Sequence, residues 1–198
     1  FVRSFGCPVG IETDVNGAAL AEARWGAGVG QGSLLYLTIG TGVGGGFVSG
    51  GRLLHGLSHP EMGHIRLPRH RDDRDFAGNC PFHGDCLEGL ASGPAVSARW
   101  GASLSSLGGD HPGNAMIAWY LGQARCTFQA IMEPARIVLG GGGMGTPGLL
   151  ELVRREAAAV GRHVAGFHVP RQVGRQVAVG AGGEIEVGEA HELVVAVG

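Results

Sequence analysis

The sequence contains no lysine; all 15 of its basic residues are arginine. Any mechanism that needs a lysine is excluded, including the phosphate-binding lysine of the P-loop. Charge of either sign is scarce, with 15 basic against 17 acidic residues and 16% charged in all. Nothing therefore points to a nucleic-acid surface or a polybasic membrane patch, and the expected partners are small molecules. No apolar run approaches the roughly 20 residues of a membrane span, and no charged-then-apolar leader opens the chain. A soluble, cytoplasmic protein is expected. Four cysteines in 198 residues are too few for a disulfide framework. Cys7 and Cys126 read as buried apolar fillers, whereas Cys80 and Cys86 stand close to histidine at metal-ligand spacing.

Glycine, by contrast, is abundant: 39 of 198 residues, against a usual share of about 7%. The glycines cluster at the ends of apolar runs, where tight turns and close backbone approach to a ligand need them. With 44% apolar residues the chain can bury the core of one generous domain.

Phe1 to Gly10 reads as a turn followed by a short strand, and the chain opens without an initiator Met, as if something were missing upstream. Thr13-Asp14-Val15-Asn16 precedes an alanine-rich helical run, Gly17 to Trp25, with Thr13 or Asp14 placed as N-cap. Ser33 to Ile39 is a nearly continuous apolar, β-prone run that predicts a buried strand and ends in the glycine-rich turn Gly40-Thr41-Gly42. A return run to Ser49, then Gly50-Gly51 and Arg52 to Leu54, predicts an antiparallel hairpin. Strand, glycine turn, strand rules out both the dinucleotide-binding and the P-loop motif, since each needs the turn to open a helix. The N–H groups of such a hairpin turn and the Thr41 hydroxyl suit anionic oxygens, although as a glycine pattern it fits a plain hairpin equally well.

Cys86 to Ala91 predicts a short helix, and Pro94 the first turn of another. Ile117, Tyr120, Leu121, Ala124, Phe128, Ile131 and Met132 mark one face of a long amphipathic helix over Asn114 to Glu133. Arg136 to Leu139 reads as a short buried strand, followed by Gly140-Gly141-Gly142-Gly143. Thr146-Pro147 then reads as N-cap and first-position proline of a last helix. A nucleotide fits against this second glycine turn; a tight strand-to-helix connection is the alternative. Val177 to Val179 and Leu193 to Val197 read as further strands.

The densest chemistry lies between His59 and Glu88. Cys80, His83 and Cys86 fall within seven consecutive positions, a spacing that lets one loop supply three ligands of a tetrahedral zinc site. His64 is the natural fourth. His55, His59 and His70 are further donors, His70 within an Arg- and Asp-rich segment that reads as solvated loop. Four protein ligands leave no open position, so a zinc here is structural. Glu61 and Glu88 flank the set, and carboxylates on a pinned loop offer convergent acceptors to a polyhydroxylated ligand, which suggests a sugar.

The stretches Thr13-Asp14-Val15-Asn16-Gly17-Ala18-Ala19-Leu20, Leu37 to Gly46, His59-Pro60-Glu61-Met62-Gly63-His64, Gly78 to Ala95 and Ile137 to Gly142 occur in this order. Together they resemble the ROK (repressor, open reading frame, kinase) sugar-kinase family, most closely its bacterial fructokinase branch. The resemblance covers roughly residues 1 to 170. It implies an α/β fold of the actin-like ATPase (ribonuclease H-like) class, with residues 1–32 a remnant of the N-terminal lobe and 33–198 the C-terminal lobe bearing a zinc-bound loop. The implied activity is ATP-dependent phosphorylation of a hexose, fructose first, to fructose 6-phosphate. Asp14 would be the general base. Thr13, Glu61, His64 and Glu88 would bind sugar; Gly40, Thr41 and Gly42 the ATP phosphates; and Gly140, Gly141, Gly142 and Gly143 the adenosine. His64, Cys80, His83 and Cys86 would hold zinc, and Mg²⁺ would accompany ATP. A homodimer is left open.

The family's Asp-x-Gly-Gly-Thr phosphate segment has no counterpart here, and the stretch after about Gly174 does not follow the family pattern. A truncated gene product is expected, and with it an alternative in which the chain is an inactive zinc-binding remnant. A sugar-sensing regulator of the same family is the other alternative; it would need an upstream winged-helix domain, and the presence of Asp14 argues against it.

Overall fold

The computed structural model describes residues 2–7, 10–161 and 192–195. Its centre is a five-stranded sheet ordered β3-β2-β1-β4-β5. A short helix α1 (Val2–Phe5) stands where a turn and strand were expected, and Cys7 beside it is exposed, not a core filler. Helix α2 (Asp14–Trp25) leads into β1 (Ser33–Ile39), β2 (Val43–Ser49) and β3 (Arg52–Leu53). These three strands pair antiparallel in sequence, with Ile39 opposite Val43 across the glycine turn. After the long loop come α3 (Leu87–Ala91), α4 (Gly93–Trp100) and α5 (Pro112–Met132). Strand β4 (Arg136–Gly140) then returns parallel to β1, with Thr38 beside Gly140. Helix α6 (Leu149–Gly161) and β5 (Glu192–Val195), parallel to β4, complete the described fold. The segment Val177 to Val179 lies outside the described residues.

Strand β1 is nearly continuously apolar because both its faces are covered. Leu35, Leu37 and Ile39 point into the larger core with Leu121, Phe128 and Val153. Leu34 and Tyr36 point the other way, onto Ala19 of α2. Helix α5 buries the face its periodicity predicts through Ile117, Tyr120, Leu121, Ala124 and Phe128, each burial of a large apolar side chain contributing about 1.5–3 kcal/mol. Ile131, assigned to the same face, is 72% exposed, whereas its neighbour Met132 in the same last turn packs against the core. Helix α6 begins at Leu149, later than Thr146-Pro147 suggests, because Gly148 takes a left-handed φ of +78° that no α-helix contains.

The Arg- and Asp-rich loop between His64 and Cys80 is less solvated than its composition implies. Asp73 is buried and accepts from Arg99 Nε at 2.8 Å, Arg99 Nη2 at 2.7 Å and the Tyr120 hydroxyl at 2.7 Å. Arg99 also stacks 3.9 Å from the Phe76 ring centre. One loop carboxylate thus ties the segment to both α4 and α5.

Candidate functional site

The C-terminal ends of the parallel neighbours β1 and β4 carry one glycine turn each, so the two turns lie side by side at one end of the sheet. Gly141 holds φ +86° and lies flat on the end of β1, where an added Cβ would come within 2.5 Å of the Ile39 carbonyl and 2.7 Å of the Thr38 hydroxyl. Gly143 approaches Ile39 in the same way. Carboxyl ends of parallel strands are where α/β sheets place ligands, and Thr41 is exposed there.

The glycines of β2 bring two other motifs to this end. Gly44 and Gly46 face α2, with the Val15 side chain about one van der Waals contact from the first and the Asn16 Oδ1 and Val15 carbonyl pressed on the second. Gly45 faces the opposite side, against Met62. Gly63 abuts the Val43 carbonyl so closely that any side chain there would displace the backbone. Asp14 and the Glu61 to His64 turn are thereby held on the two faces of one strand, next to the first glycine turn.

At the start of α2 the two candidate caps divide the work. Thr13 is the N-cap, its hydroxyl accepting from the Asn16 N–H at 3.2 Å. Asp14 follows as the first helical residue, exposed, with Oδ1 on the Val15 N–H at 2.8 Å. Because Thr13 satisfies the cap, Asp14 is free to face a ligand. Glu12, unnoticed in the sequence, braces this turn: Oε1 accepts from the Thr13 N–H and the Asn16 Nδ2, each at 2.9 Å, and Oε2 meets His55 Nε2 at 2.6 Å. The Asn16 amide, then the Thr13 N–H, then His55, hold the Glu12 carboxyl at about 2. Its only sequence signal is the four-residue spacing to Asn16.

The ligand atoms of His64, Cys80, His83 and Cys86 all lie within 4.8 Å of one another. His64 Nδ1 is 3.4 Å from Cys86 Sγ and 3.7 Å from Cys80 Sγ, and Cys80 Sγ is 3.8 Å from His83 Nδ1. Nitrogen and sulfur at two corners of a zinc tetrahedron stand about 3.6 Å apart, which these three spacings match, while the set as a whole is bounded by the wider 4.8 Å. Of the four histidines weighed, His64 joins the set; His55, His59 and His70 do not. Burial pushes the Cys86 thiol up, against the pull of the Gly89 N–H, and a dication is what converts such a thiol to a thiolate ligand. Cys126 is a different case: buried, its thiol 3.4 Å from the Ala157 carbonyl and raised by that burial, it is an inert filler as read.

Turning Nδ1 of His64 toward the sulfurs leaves Nε2 on the other side, 3.9 Å from Glu61 Oε2. Glu61 itself is 66% exposed and meets His59 at 3.0 Å. Cys86 caps α3, its sulfur 3.5 Å from the Gly89 N–H, and α3 carries Glu88. Glu88 Oε2 accepts from the Val43 N–H at 3.1 Å, directly beside the first glycine turn.

A family model described as ROK family matches residues 1–179. The chain belongs to the ROK family. It is 52% identical over 162 residues to a fructokinase of Zymomonas mobilis, covering 81% of this chain and 54% of that protein. With a putative fructokinase of Bacillus subtilis it shares 53% identity over 137 residues, 69% of this chain and 46% of the relative. This ROK chain thus spans about half the length of the curated relatives it matches. Among solved structures it is similar to the ROK hexokinase of Thermus thermophilus, with a TM-score of 0.73 and 29% identity over 98% of this chain and 63% of that one. A ROK glucokinase of Streptomyces griseus, solved with glucose and AMPPNP, shares the fold at a TM-score of 0.66 and 23% identity, covering 98% of this chain and 65% of that one. The 3-2-1-4-5 sheet with its antiparallel first three strands is accordingly the actin-like ATPase fold expected from the resemblance. Among the described residues no helix is long and apolar enough to cross a membrane.

Proposed function

We propose that the whole protein is an ATP-dependent hexose kinase with fructose as its favoured substrate. The observation that carries this reading is convergence: Asp14, relieved of capping by Thr13, stands at the same end of the sheet as both glycine turns and the Glu61, His64 and Glu88 set. Relatives named fructokinase at 52% and 42% identity support the choice of sugar. Asp14 takes the proton of the attacking sugar hydroxyl as that oxygen bonds to the γ-phosphorus of MgATP and the bond to ADP breaks. Backbone N–H groups of Gly40 to Gly42 and the Thr41 hydroxyl stabilise phosphoryl oxygens, which is the principal help such a reaction needs. The turn Gly140 to Gly143 takes the adenosine, and Thr13, Glu61, His64 and Glu88 bind sugar hydroxyls. On this reading residues 1–32 close the N-terminal lobe and the remainder forms the C-terminal one. A coupled ADP-release assay over fructose, mannose, glucose and N-acetylated hexosamines tests it, with fructose expected to give the highest kcat/KM. Absence of turnover with every hexose would remove the kinase reading.

The metal held by His64, Cys80, His83 and Cys86 is proposed to be zinc in a structural role. It supplies a fixed tetrahedral centre that ties the loop to α3. Purified protein is expected to contain about one zinc per chain, and Co²⁺ exchanged into it should show the visible absorption of a tetrahedral thiolate site. Cys86→Ser should lose both the metal and the ordered loop. Metal-free protein with an unchanged melting temperature would refute the structural role.

A further inference from the structure

We propose that Glu88 positions the nucleotide site: its Oε2 fixes the conformation of the Gly40–Gly42 turn, leaving Oε1 for a sugar hydroxyl. The proposal rests on the reading of that turn as the phosphate site and adds a second duty to a residue read so far as a sugar ligand only.

The turn is tight, with the Gly40 N–H donating to the Gly42 carbonyl at 2.9 Å. It is gripped from outside at two points by one segment. The Val43 N–H donates to Glu88 Oε2 at 3.1 Å, and the Gly93 N–H donates to the Gly40 carbonyl at 2.7 Å. Both grips come from α3 and the start of α4, so they move as one piece. Gly42 is what lets the carboxylate in, since a Cβ there would lie 2.7 Å from Glu88 Oε2. At its N-terminus, two positions before Glu88, α3 is capped by Cys86, one of the four residues that could hold a metal. The metal loop therefore reaches the phosphate turn through Glu88, and the sugar and nucleotide sites share one carboxylate.

Two effects of this carboxylate on a nucleotide oppose each other. As a plain anion near the phosphates Glu88 weakens binding by repulsion. As the acceptor that holds the turn in its binding shape it strengthens binding, by the worth of a hydrogen bond to a charged group. The sign of a substitution's effect separates them.

The test is calorimetric titration of MgAMPPNP into the whole protein without sugar, for wild type, Glu88→Ala, Glu88→Gln and Glu61→Ala. Glu88→Ala is expected to bind about tenfold more weakly although it has lost a negative charge. Glu88→Gln, whose amide oxygen can still accept from Val43, should stay within about twofold of wild type. So should Glu61→Ala, because Glu61 meets His59 and His64 and not the turn. Equal or tighter binding by Glu88→Ala overturns the proposal. Amide exchange at Val43 reads the contact without any nucleotide: it should quicken in Glu88→Ala and not in Glu88→Gln, and unchanged exchange in Glu88→Ala also overturns the proposal. If Val43 behaves as expected but wild type fails to bind MgAMPPNP, it is the phosphate-turn reading that falls, and the positioning role with it.

Discussion

An Asp14→Asn protein is expected to phosphorylate fructose about 10² to 10⁴ times more slowly than wild type, the usual contribution of a positioned general base. Its KM for sugar should hardly move, since an asparagine of the same shape still hydrogen-bonds a hydroxyl but accepts no proton. The split between kcat and KM is the useful reading: a residue that merely shaped the site would raise KM as well. The helix should survive the change, because the cap that initiates α2 is the Thr13 hydroxyl on the Asn16 N–H, not the Asp14 carboxylate. Thr13→Ala should instead cost about 1 kcal/mol of stability through the lost cap. Rates measured by coupled ADP release, beside circular dichroism of the same samples, decide the matter. Turnover of Asp14→Asn equal to wild type would take Asp14 out of the mechanism.

The largest stability loss is expected at Asp73. Asp73→Ala leaves Arg99 Nε and Nη2 and the Tyr120 hydroxyl without their carboxylate acceptor, in a place where the Arg99 side chain is only 6% exposed; Arg99 Nη1 keeps the Leu90 and Ala95 carbonyls. Breaking a buried pair by removing one partner costs about 3–5 kcal/mol, whereas removing both charges recovers much of it. Urea unfolding should therefore rank wild type above Asp73→Ala/Arg99→Met, and that above Asp73→Ala alone. Asp72→Ala, next in sequence but with its side chain 65% exposed, should stay within about 0.5 kcal/mol of wild type. Equal midpoints for Asp73→Ala and Asp72→Ala would refute the buried clamp.

The same carboxylate sets an acid limit. Burial pushes the Asp73 carboxyl up, but the Arg99 and Tyr120 hydrogen bonds and the Arg99 charge outweigh it and bring the group below its ordinary value of 3.8. A carboxyl depressed in the fold binds its proton more readily in the unfolded chain. Its contribution is therefore complete above the ordinary carboxylate range and is lost as pH falls through the depressed folded value. The loss should be missing from the pH profile of Asp73→Ala.

Much of the fold was legible because its signals are local. The Ser33 to Ile39 strand, the return hairpin and the α5 face each follow from periodicity and glycine placement alone. The grouping of His64, Cys80, His83 and Cys86 was legible too, since three of them share one short loop and His64 stands just upstream; the structure brings their donor atoms within 4.8 Å of one another. The opening helix was not legible, being too short for any periodicity to show. The Asp73 clamp was hidden for another reason: its partners Arg99 and Tyr120 are 26 and 47 residues away, and the acidic and basic composition around Asp73 mimics a solvated loop.

The sequence by itself determined which residues could do chemistry: an acid at a helix start, two glycine turns after apolar strands, carboxylates beside a metal loop. Tertiary structure decided which of them meet. The parallel register of β1 and β4 puts the two glycine turns side by side, and the alternating glycines of β2 hold Asp14 on one face and the Glu61 turn on the other. The bond from the Val43 N–H to Glu88, across 45 residues, joins the segment that follows Cys80, His83 and Cys86 to the first turn. Such contacts depend on strand register and on side chains small enough for backbones to touch, and both are settled only when the layers pack.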